Sequence, residues 1–137
     1  MSTPTGGAGW PAFVAIGAGA ALGAWLRWGL GVWLNPLWAA MPLGTLAANL
    51  LGGFLMGAVL AVLSAVPALS PALKLFLTTG LLGGLTTFST FSAEGLHFAQ
   101  RGAWGGLVLH ALAHALGALL MAWLGFLLFS LWRSGGQ

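Results

Sequence analysis

The chain has 137 residues, of which 59% are hydrophobic and only 4% are charged, whereas a soluble domain typically devotes roughly a quarter of its residues to charge. This composition excludes a water-soluble globular protein and predicts a protein that resides in lipid. The sequence pI of about 11.7 does not indicate nucleic-acid binding, since it reflects four scattered basic residues against one acid, and the lack of cysteine excludes a disulfide framework or a thiolate metal site.

Four apolar stretches follow one another along the chain, and each has the roughly 20 residues that a membrane-spanning helix needs. Proline, which disfavours continuation of a helix, occurs in the connections between them. A flexible tail of small and polar residues, without the basic region of a signal peptide, precedes the first stretch. The sequence predicts one all-α transmembrane domain over residues 12–132, with helices at 12–34, 43–66, 72–99 and 103–132 between tails at 1–11 and 133–137.

Two further patterns are typical of a packed bundle in a bilayer. Glycines four residues apart let membrane helices approach closely, and they occur as Gly19 with Gly23 and as Gly53 with Gly57. Tryptophan prefers the headgroup region of the membrane. It flanks the predicted spans at Trp10, Trp33, Trp38, Trp104 and Trp132.

The basic residues divide evenly between the two sides of the membrane. With four spans, Lys74 and Arg133 lie on one side, and Arg27 and Arg101 lie on the other. Because orientation normally follows an excess of Lys and Arg on the cytoplasmic side, this tie predicts that copies insert in both directions. We therefore expect an antiparallel homodimer, which reporter fusions at Gln137 showing a single orientation would contradict.

The third predicted helix contains a segment that disfavours a continuous helix. Gly80, Gly83 and Gly84 lower helix stability, and residues with hydroxyls that can cap a restarted helix follow them, namely Thr86, Thr87, Ser89, Thr90 and Ser92. A break at membrane depth is tolerated only where it is buried in protein, lines a cavity or binds an ion. On this segment alone, an ion site and an intact helix with a small-residue packing face are equally supported.

Phe88 and Phe91, three residues apart, share one face of the helix that follows the break. Their ring edges carry the positive end of the quadrupole and suit an anion, although lipid or core contact is the commoner role of such a pair. Rings alone cannot replace the hydration of an anion, so polar donors must contribute. Asn49 in helix 2, with Thr45 one turn earlier, is a candidate donor; the alternative is an interhelical hydrogen bond that stabilises the bundle.

At these residues the sequence resembles the Fluc (also called CrcB) family of bacterial fluoride channels. The resemblance is carried by Gly23-Ala24-Trp25-Leu26-Arg27-Trp28 in helix 1, by Gly44-Thr45 through Asn49 to Gly52-Gly53 in helix 2, and by Gly83 to Ser92 and Glu94 in helix 3. It implies a dual-topology antiparallel homodimer in the bacterial inner membrane that exports cytoplasmic fluoride passively and confers fluoride resistance. It implies no enzymatic activity.

The resemblance also implies the site residues. A structural sodium ion would lie on the two-fold axis, bound by the backbone carbonyls of Gly83 and Thr86 from both subunits. Glu94 matches the motif, but a carboxylate repels fluoride, so it is either a protonated, hydrogen-bonded or displaced pore residue or a residue anchored by water at the membrane interface. The expected fluoride pathway comprises Phe88, Phe91, Asn49, Thr45 and Thr87, with Arg27 in a vestibule that attracts anions.

Helix 4 departs from the family pattern, which tends to place tyrosine and serine hydroxyls there. This chain has His110 and His114 instead, one helical turn apart. Three interpretations are open: imidazole donors on the pore face, a metal pair at a spacing that can bind zinc, and packing. The first is favoured, because no acid or cysteine is nearby and two ligands are too few for zinc. It predicts a flux that responds to pH between about 5 and 8, where histidine changes charge.

Two other functions compete with the fluoride channel. One is a small drug/proton antiporter, also built from four helices and able to insert both ways, and the other is a structural accessory subunit. The antiporter mechanism requires an acid in the middle of helix 1, where this chain has none. An accessory subunit needs neither a broken helix nor paired phenylalanines. No nucleotide motif or catalytic triad supports an ATP-driven pump or an enzyme.

Overall fold

A computed structural model of the chain describes residues 9–135, which are built of helices without any strand. The all-α class expected from the sequence is therefore confirmed. The first helix begins at Trp10, and most of the expected flexible tail at residues 1–11 lies outside the described residues. The last helix continues to Ser134, two residues into the expected C-terminal tail, whose residues 136 and 137 also lie outside the description.

The helices follow the four predicted stretches. Three of the described helices are long and apolar enough to cross a membrane: the first with the 3₁₀ turn after it (Trp10–Leu37), the helix Leu43–Ala65 and the helix Trp104–Ser134. The fourth span is the third stretch of the chain, and it consists of shorter pieces. In chain order the elements are α1 (Trp10–Leu34), a 3₁₀ turn (Asn35–Leu37), α2 (Leu43–Ala65), α3 (Pro71–Leu75), a π-helical segment (Phe76–Leu82), α4 (Gly83–Leu85), α5 (Phe88–Gln100) and α6 (Trp104–Ser134).

The third span is interrupted at Thr86 and Thr87. Residues 71–85, which we call the leading half, form one run of helical turns, and α5 is the trailing half. Between the halves, Thr86 (φ −79°, ψ 155°) and Thr87 (φ −150°, ψ 121°) have extended backbones. The predicted break in the third helix is therefore confirmed, and two residues make it.

Glycines on both partners bring α1 against the backbone of the leading half. A Cβ added to Gly19 would lie 2.7 Å from the amide nitrogen of Leu81, and one added to Gly23 would overlap the carbonyl of that residue. From the other side, a Cβ on Gly84 would lie 2.5 Å from the carbonyl oxygen of Ala20. The close contact predicted for Gly19 and Gly23 is confirmed, and it fixes the depth of the leading half beside α1.

The contact between α2 and α6 is built in the same way. A Cβ on Gly53 would lie 2.6 Å from the carbonyl oxygen of Ala118, and one on Gly57 would overlap the carbonyl of Ala122, a full turn further along α6. Gly125 on α6 is buried against α2 for the same reason. Small residues on both helices thus confirm the predicted packing of Gly53 and Gly57, and they bring the polar residues of α2 close to those of α6.

The basic side chains lie towards the two ends of the bundle. Lys74 is in α3, and Arg133 lines a cavity with Ser64 near the end of α2, so these two cations share one end. Arg101 directly follows α5, and Arg27 lies in the last third of α1, both towards the opposite end. The structure therefore has the two-and-two division on which the dual-topology prediction rests, and the orientation itself stays a prediction.

Candidate functional site

Asn49, in the first third of α2, bonds both backbone groups of Thr87. Its Oδ1 accepts a hydrogen bond from the Thr87 N–H at 2.8 Å, and its Nδ2 donates to the Thr87 carbonyl at 3.2 Å. The same Nδ2 lies 2.9 Å from Nδ1 of His114, which must act as the acceptor because an amide nitrogen only donates. One side chain thus links α2, the break and α6, and its donors are already engaged within the chain.

The side chain of Thr87 caps the trailing half. Its Oγ1 accepts from the N–H of Thr90 at 3.1 Å, which is the usual role of a threonine at the first position before a helix. The hydroxyl of Thr86 donates to the carbonyl of Leu82 at 2.8 Å, back into the leading half. The capping expected from the hydroxyl-rich segment is therefore confirmed, with Thr87 as the cap.

These two side-chain acceptors leave two backbone carbonyls without their helical donors. In an unbroken α-helix the Thr87 N–H would bond the carbonyl of Gly83, and the Thr90 N–H would bond that of Thr86. Here the first amide donates to Asn49 and the second to the side chain of Thr87. Carbonyl oxygens can replace the water around a hard monovalent cation, so the two freed oxygens suit such an ion. The residues present therefore fit the sodium site that the family resemblance implies, with two ligands from one chain.

Arg27 reaches the break from α1. Its Nε donates to the carbonyl of Gly84 at 3.1 Å, so the guanidinium is held next to the end of the leading half. A cavity of about 520 Å³ opens beside it, and its polar lining includes Thr45, Thr87 and Thr90. One cation and three hydroxyls therefore border this open cavity, and its role as an anion vestibule stays a prediction.

A second cavity, of about 500 Å³, lies on the other side of the break, between α2 and α6. Its wall is mainly apolar, with small residues of both helices and the rings of Phe88 and Phe91. Phe88 is 79% exposed, so its ring is free to contact whatever enters. The polar residues that line this second cavity are Asn49, Thr86, Thr87 and His114. Thr87 lines both cavities. It therefore lies between Arg27, which lines the first cavity, and the two rings, which line the second.

The two histidines have different positions relative to Phe91. The ring of Phe91 stacks on that of His110, with centroids 4.9 Å apart and planes at 15°, and lies 5.1 Å from that of His114. His110 is fully buried, and its Nε2 lies 3.1 Å from the carbonyl of Phe91, to which it donates. His114 lines the cavity and His110 does not. Of the predicted pair of imidazole donors, only His114 therefore has access to the cavity.

Glu94 lies beside these histidines. The hydroxyl of Thr45 donates to its Oε1 at 2.5 Å, and its Oε2 lies 3.8 Å from Nε2 of His110. The prediction that no acid lies near the histidine pair is therefore wrong. Glu94 is 16 residues from His110 along the chain, but the packing of α5 on α6 brings the two residues together.

The break is the point at which the predicted site residues meet. Asn49 and Thr87 are bonded to each other, Thr45 is bonded to Glu94, and the rings and Arg27 border the two cavities. Thr90 and the carbonyl of Gly84 were not predicted as parts of the site. Thr87 and Thr90 have the spacing of the first and fourth positions of a capping motif, and this spacing could have indicated Thr90.

Comparison with known proteins gives a family match over most of the four spans. Residues 14–126 match the family described as "CrcB-like protein, Camphor Resistance (CrcB)". The matched range begins four residues inside α1 and ends within α6. It therefore includes both halves of the broken span and every residue of the candidate site.

Individual relatives match over nearly their full length. A protein of Aromatoleum aromaticum named "Fluoride-specific ion channel FluC" is 71% identical over 123 residues, which cover 90% of this chain and 94% of the relative. Proteins with the same name from Thiobacillus denitrificans and Marinobacter nauticus are 58% and 52% identical, over 84% and 90% of this chain and 93% and 98% of their own lengths.

Proposed function

This chain belongs to the CrcB family, and we propose that it forms a fluoride-selective channel whose conducting surfaces lie on either side of the break at Thr86 and Thr87. The observation that carries the function is the high identity to relatives that are each named a fluoride-specific ion channel. It is a channel and not an enzyme. Because no energy-coupling motif accompanies the site, export is passive: fluoride that enters as neutral HF and dissociates inside leaves down its gradient.

The proposed anion path uses weak contacts in series. The exposed ring of Phe88 and the adjacent ring of Phe91 offer their positive edges on one side of the break. On the other side, Arg27 and the hydroxyls of Thr45 and Thr87 border the vestibule. Stripping an anion of water costs tens of kcal/mol in the idealised limit. The path therefore needs hydroxyl and amide donors, or retained water, along its whole length.

The histidines and Asn49 have different roles in this proposal. His114 lines the cavity and offers an imidazole N–H to the anion, in place of the hydroxyl typical of the family. His110 acts through Phe91, whose ring and carbonyl it contacts. Asn49 holds the break open, because its amide is bonded to Thr87 and His114.

We also assign a structural sodium ion to the carbonyls of Gly83 and Thr86. The ion would coordinate the freed backbone oxygens at membrane depth, where an unsatisfied polar group is costly. One chain offers two such oxygens, and a second copy related by a two-fold axis would offer two more. The ligand count and the even division of basic residues both favour an antiparallel homodimer.

Fluoride efflux from liposomes tests the proposal. Purified protein in fluoride-loaded vesicles should release fluoride, measured with a fluoride electrode, while chloride stays inside. Phe88→Ile and Phe91→Ile should each reduce the rate at least tenfold, because aliphatic side chains lack a positive edge. Phe129→Ile, on α6 and away from both cavities, is the matched control and should retain the parental rate. Equal efflux from all three variants would refute the assignment of the rings.

The same vesicles test the antiporter. That mechanism needs a carboxylate that alternates between a proton and a cationic drug, and the only acid in the chain is Glu94. Its Oε1 accepts a hydrogen bond from Thr45, and it lies in α5 and not in α1. Proton-coupled uptake of an organic cation without fluoride efflux would favour the antiporter over the channel.

A further inference from the structure

We propose that Glu94, His110 and His114 form a binding site for a divalent transition-metal ion of the zinc type. Each residue offers one ligand atom, and the three atoms all lie within 4.8 Å of one another. His110 and His114 are 0% and 5% exposed, so both imidazoles are buried. Two imidazoles and a carboxylate are a ligand set that zinc uses where it keeps a fourth position for water or an anion.

Three buried polar atoms of this cluster have no partner within the described chain. They are Oε2 of Glu94, Nδ1 of His110 and Nε2 of His114, one on each residue. Buried polar atoms are almost always satisfied, so three orphans on neighbouring side chains indicate a missing partner. A single cation among them would satisfy all three as ligands.

The contact of His110 with Phe91 prepares its ring for a metal. Its Nε2 donates to the Phe91 carbonyl, so the proton is on Nε2 and the lone pair is on the orphaned Nδ1. Metal-binding histidines almost always have such an outer hydrogen bond, which sets the tautomer and the orientation of the ring. His110 is therefore already in the tautomer that binding a metal through Nδ1 requires.

His114 must change its tautomer to bind through Nε2. Its Nδ1 accepts from Asn49, which keeps the proton on Nε2 in the free protein. Binding would release the Asn49 contact, while Asn49 keeps both of its bonds to Thr87. The loss of one hydrogen bond lowers affinity by about twofold to tenfold, a small penalty beside the gain of a metal bond.

The geometry needs a modest contraction. Ligands at 2.0–2.1 Å from a tetrahedral zinc ion lie roughly 3.4 Å from one another. Since the ligand atoms of the cluster lie within 4.8 Å of one another, they have to approach by at most about 1.4 Å. Rotation of the Glu94 side chain, which has three rotatable bonds and is 15% exposed, can bring its carboxylate closer to the two imidazoles. His114 lines the cavity between α2 and α6, which offers an entry route.

Zinc binding is tested on purified protein without a histidine tag. Titration calorimetry should find one zinc ion per chain, and Co²⁺ should give the visible absorption bands of a tetrahedral site. Glu94→Gln, His110→Ser and His114→Ser should each weaken binding at least tenfold. His97→Ser, which removes an exposed histidine of α5 outside the cluster, should leave it unchanged. Size-exclusion profiles and tryptophan fluorescence establish that each variant is folded.

Either of two results would overturn the site: zinc binding that survives loss of all three ligands, or zinc binding that is lost equally with His97→Ser. Binding by the parent that requires the three residues supports it. These outcomes do not depend on fluoride transport, so failure of the channel proposal and failure of the metal site are distinguishable. If both hold, zinc should slow fluoride efflux by the parent and not by His110→Ser, because the ion would lie against the ring of Phe91.

Discussion

Replacement of Asn49 by alanine should destabilise the protein by about 2 kcal/mol. The change deprives the Thr87 N–H of its acceptor, and a buried donor without a partner costs about 1–3 kcal/mol. It also removes the bonds of Nδ2 to the Thr87 carbonyl and to His114, which average about 0.6 kcal/mol each between membrane helices. Return of the freed amide to the carbonyl of Gly83 would offset roughly 1 kcal/mol. The net corresponds to a roughly thirtyfold change in the unfolding equilibrium.

The measurement is unfolding of the purified protein in mixed micelles at fixed protein concentration, followed by the fluorescence of its eight tryptophans. Ser64→Ala is the matched control on the same helix, because its hydroxyl bonds only the carbonyl of Ala61 in its own helix. It should change stability by less than about 0.5 kcal/mol. Fluoride efflux should fall at least tenfold for Asn49→Ala and not for Ser64→Ala. In Asn49→Ala the freed amide of Thr87 bonds the carbonyl of Gly83, which removes a proposed sodium ligand. Parental stability and parental efflux for Asn49→Ala would refute the role of this side chain in holding the break.

Two further predictions concern packing and capping. Gly57→Ala should destabilise the bundle by about 1–3 kcal/mol, because its Cβ overlaps the carbonyl of Ala122, whereas Gly105→Ala, which meets no atom within 4 Å, should be neutral or stabilising in the same unfolding assay. Thr87→Val should cost about 0.5–2 kcal/mol by removing the cap on the Thr90 amide, and Thr87→Ser should retain it; equal losses for the two variants would show that the oxygen is not the cause.

Much of the fold follows from local patterns in the sequence. Hydropathy and proline positions predict four spans, and the glycine and hydroxyl segment predicts the break, because both are properties of consecutive residues. The π-helical segment at Phe76–Leu82 was not predicted. Its sequence has no marker of a wide turn, and the backbone of α1 packs directly against it at Gly80. Such a feature depends on tertiary contacts, which a reading along the chain does not include.

The site was predicted less completely, because its roles depend on which atoms are already bonded. Asn49 was identified as a donor, but the sequence does not reveal that Thr87 and His114 take up its amide. The proximity of Glu94 to His110 was not predicted either. The two residues lie on successive helices, and only the packing of these helices shows which of their faces meet. The residue types predict which groups can form hydrogen bonds, and the packing of the helices determines which of these bonds form.

The divided third span also has a consequence for the order in which the protein is built. The leading half packs on α1, which is synthesised before it, whereas α5 packs mainly on α6, which is synthesised after it. Neither half alone has the roughly 20 apolar residues that let a segment enter a bilayer independently. The trailing half also carries the polar side chains of Ser89, Thr90, Ser92, Glu94, His97 and Gln100. We therefore expect the trailing half to reach its final place only after α6 has been synthesised.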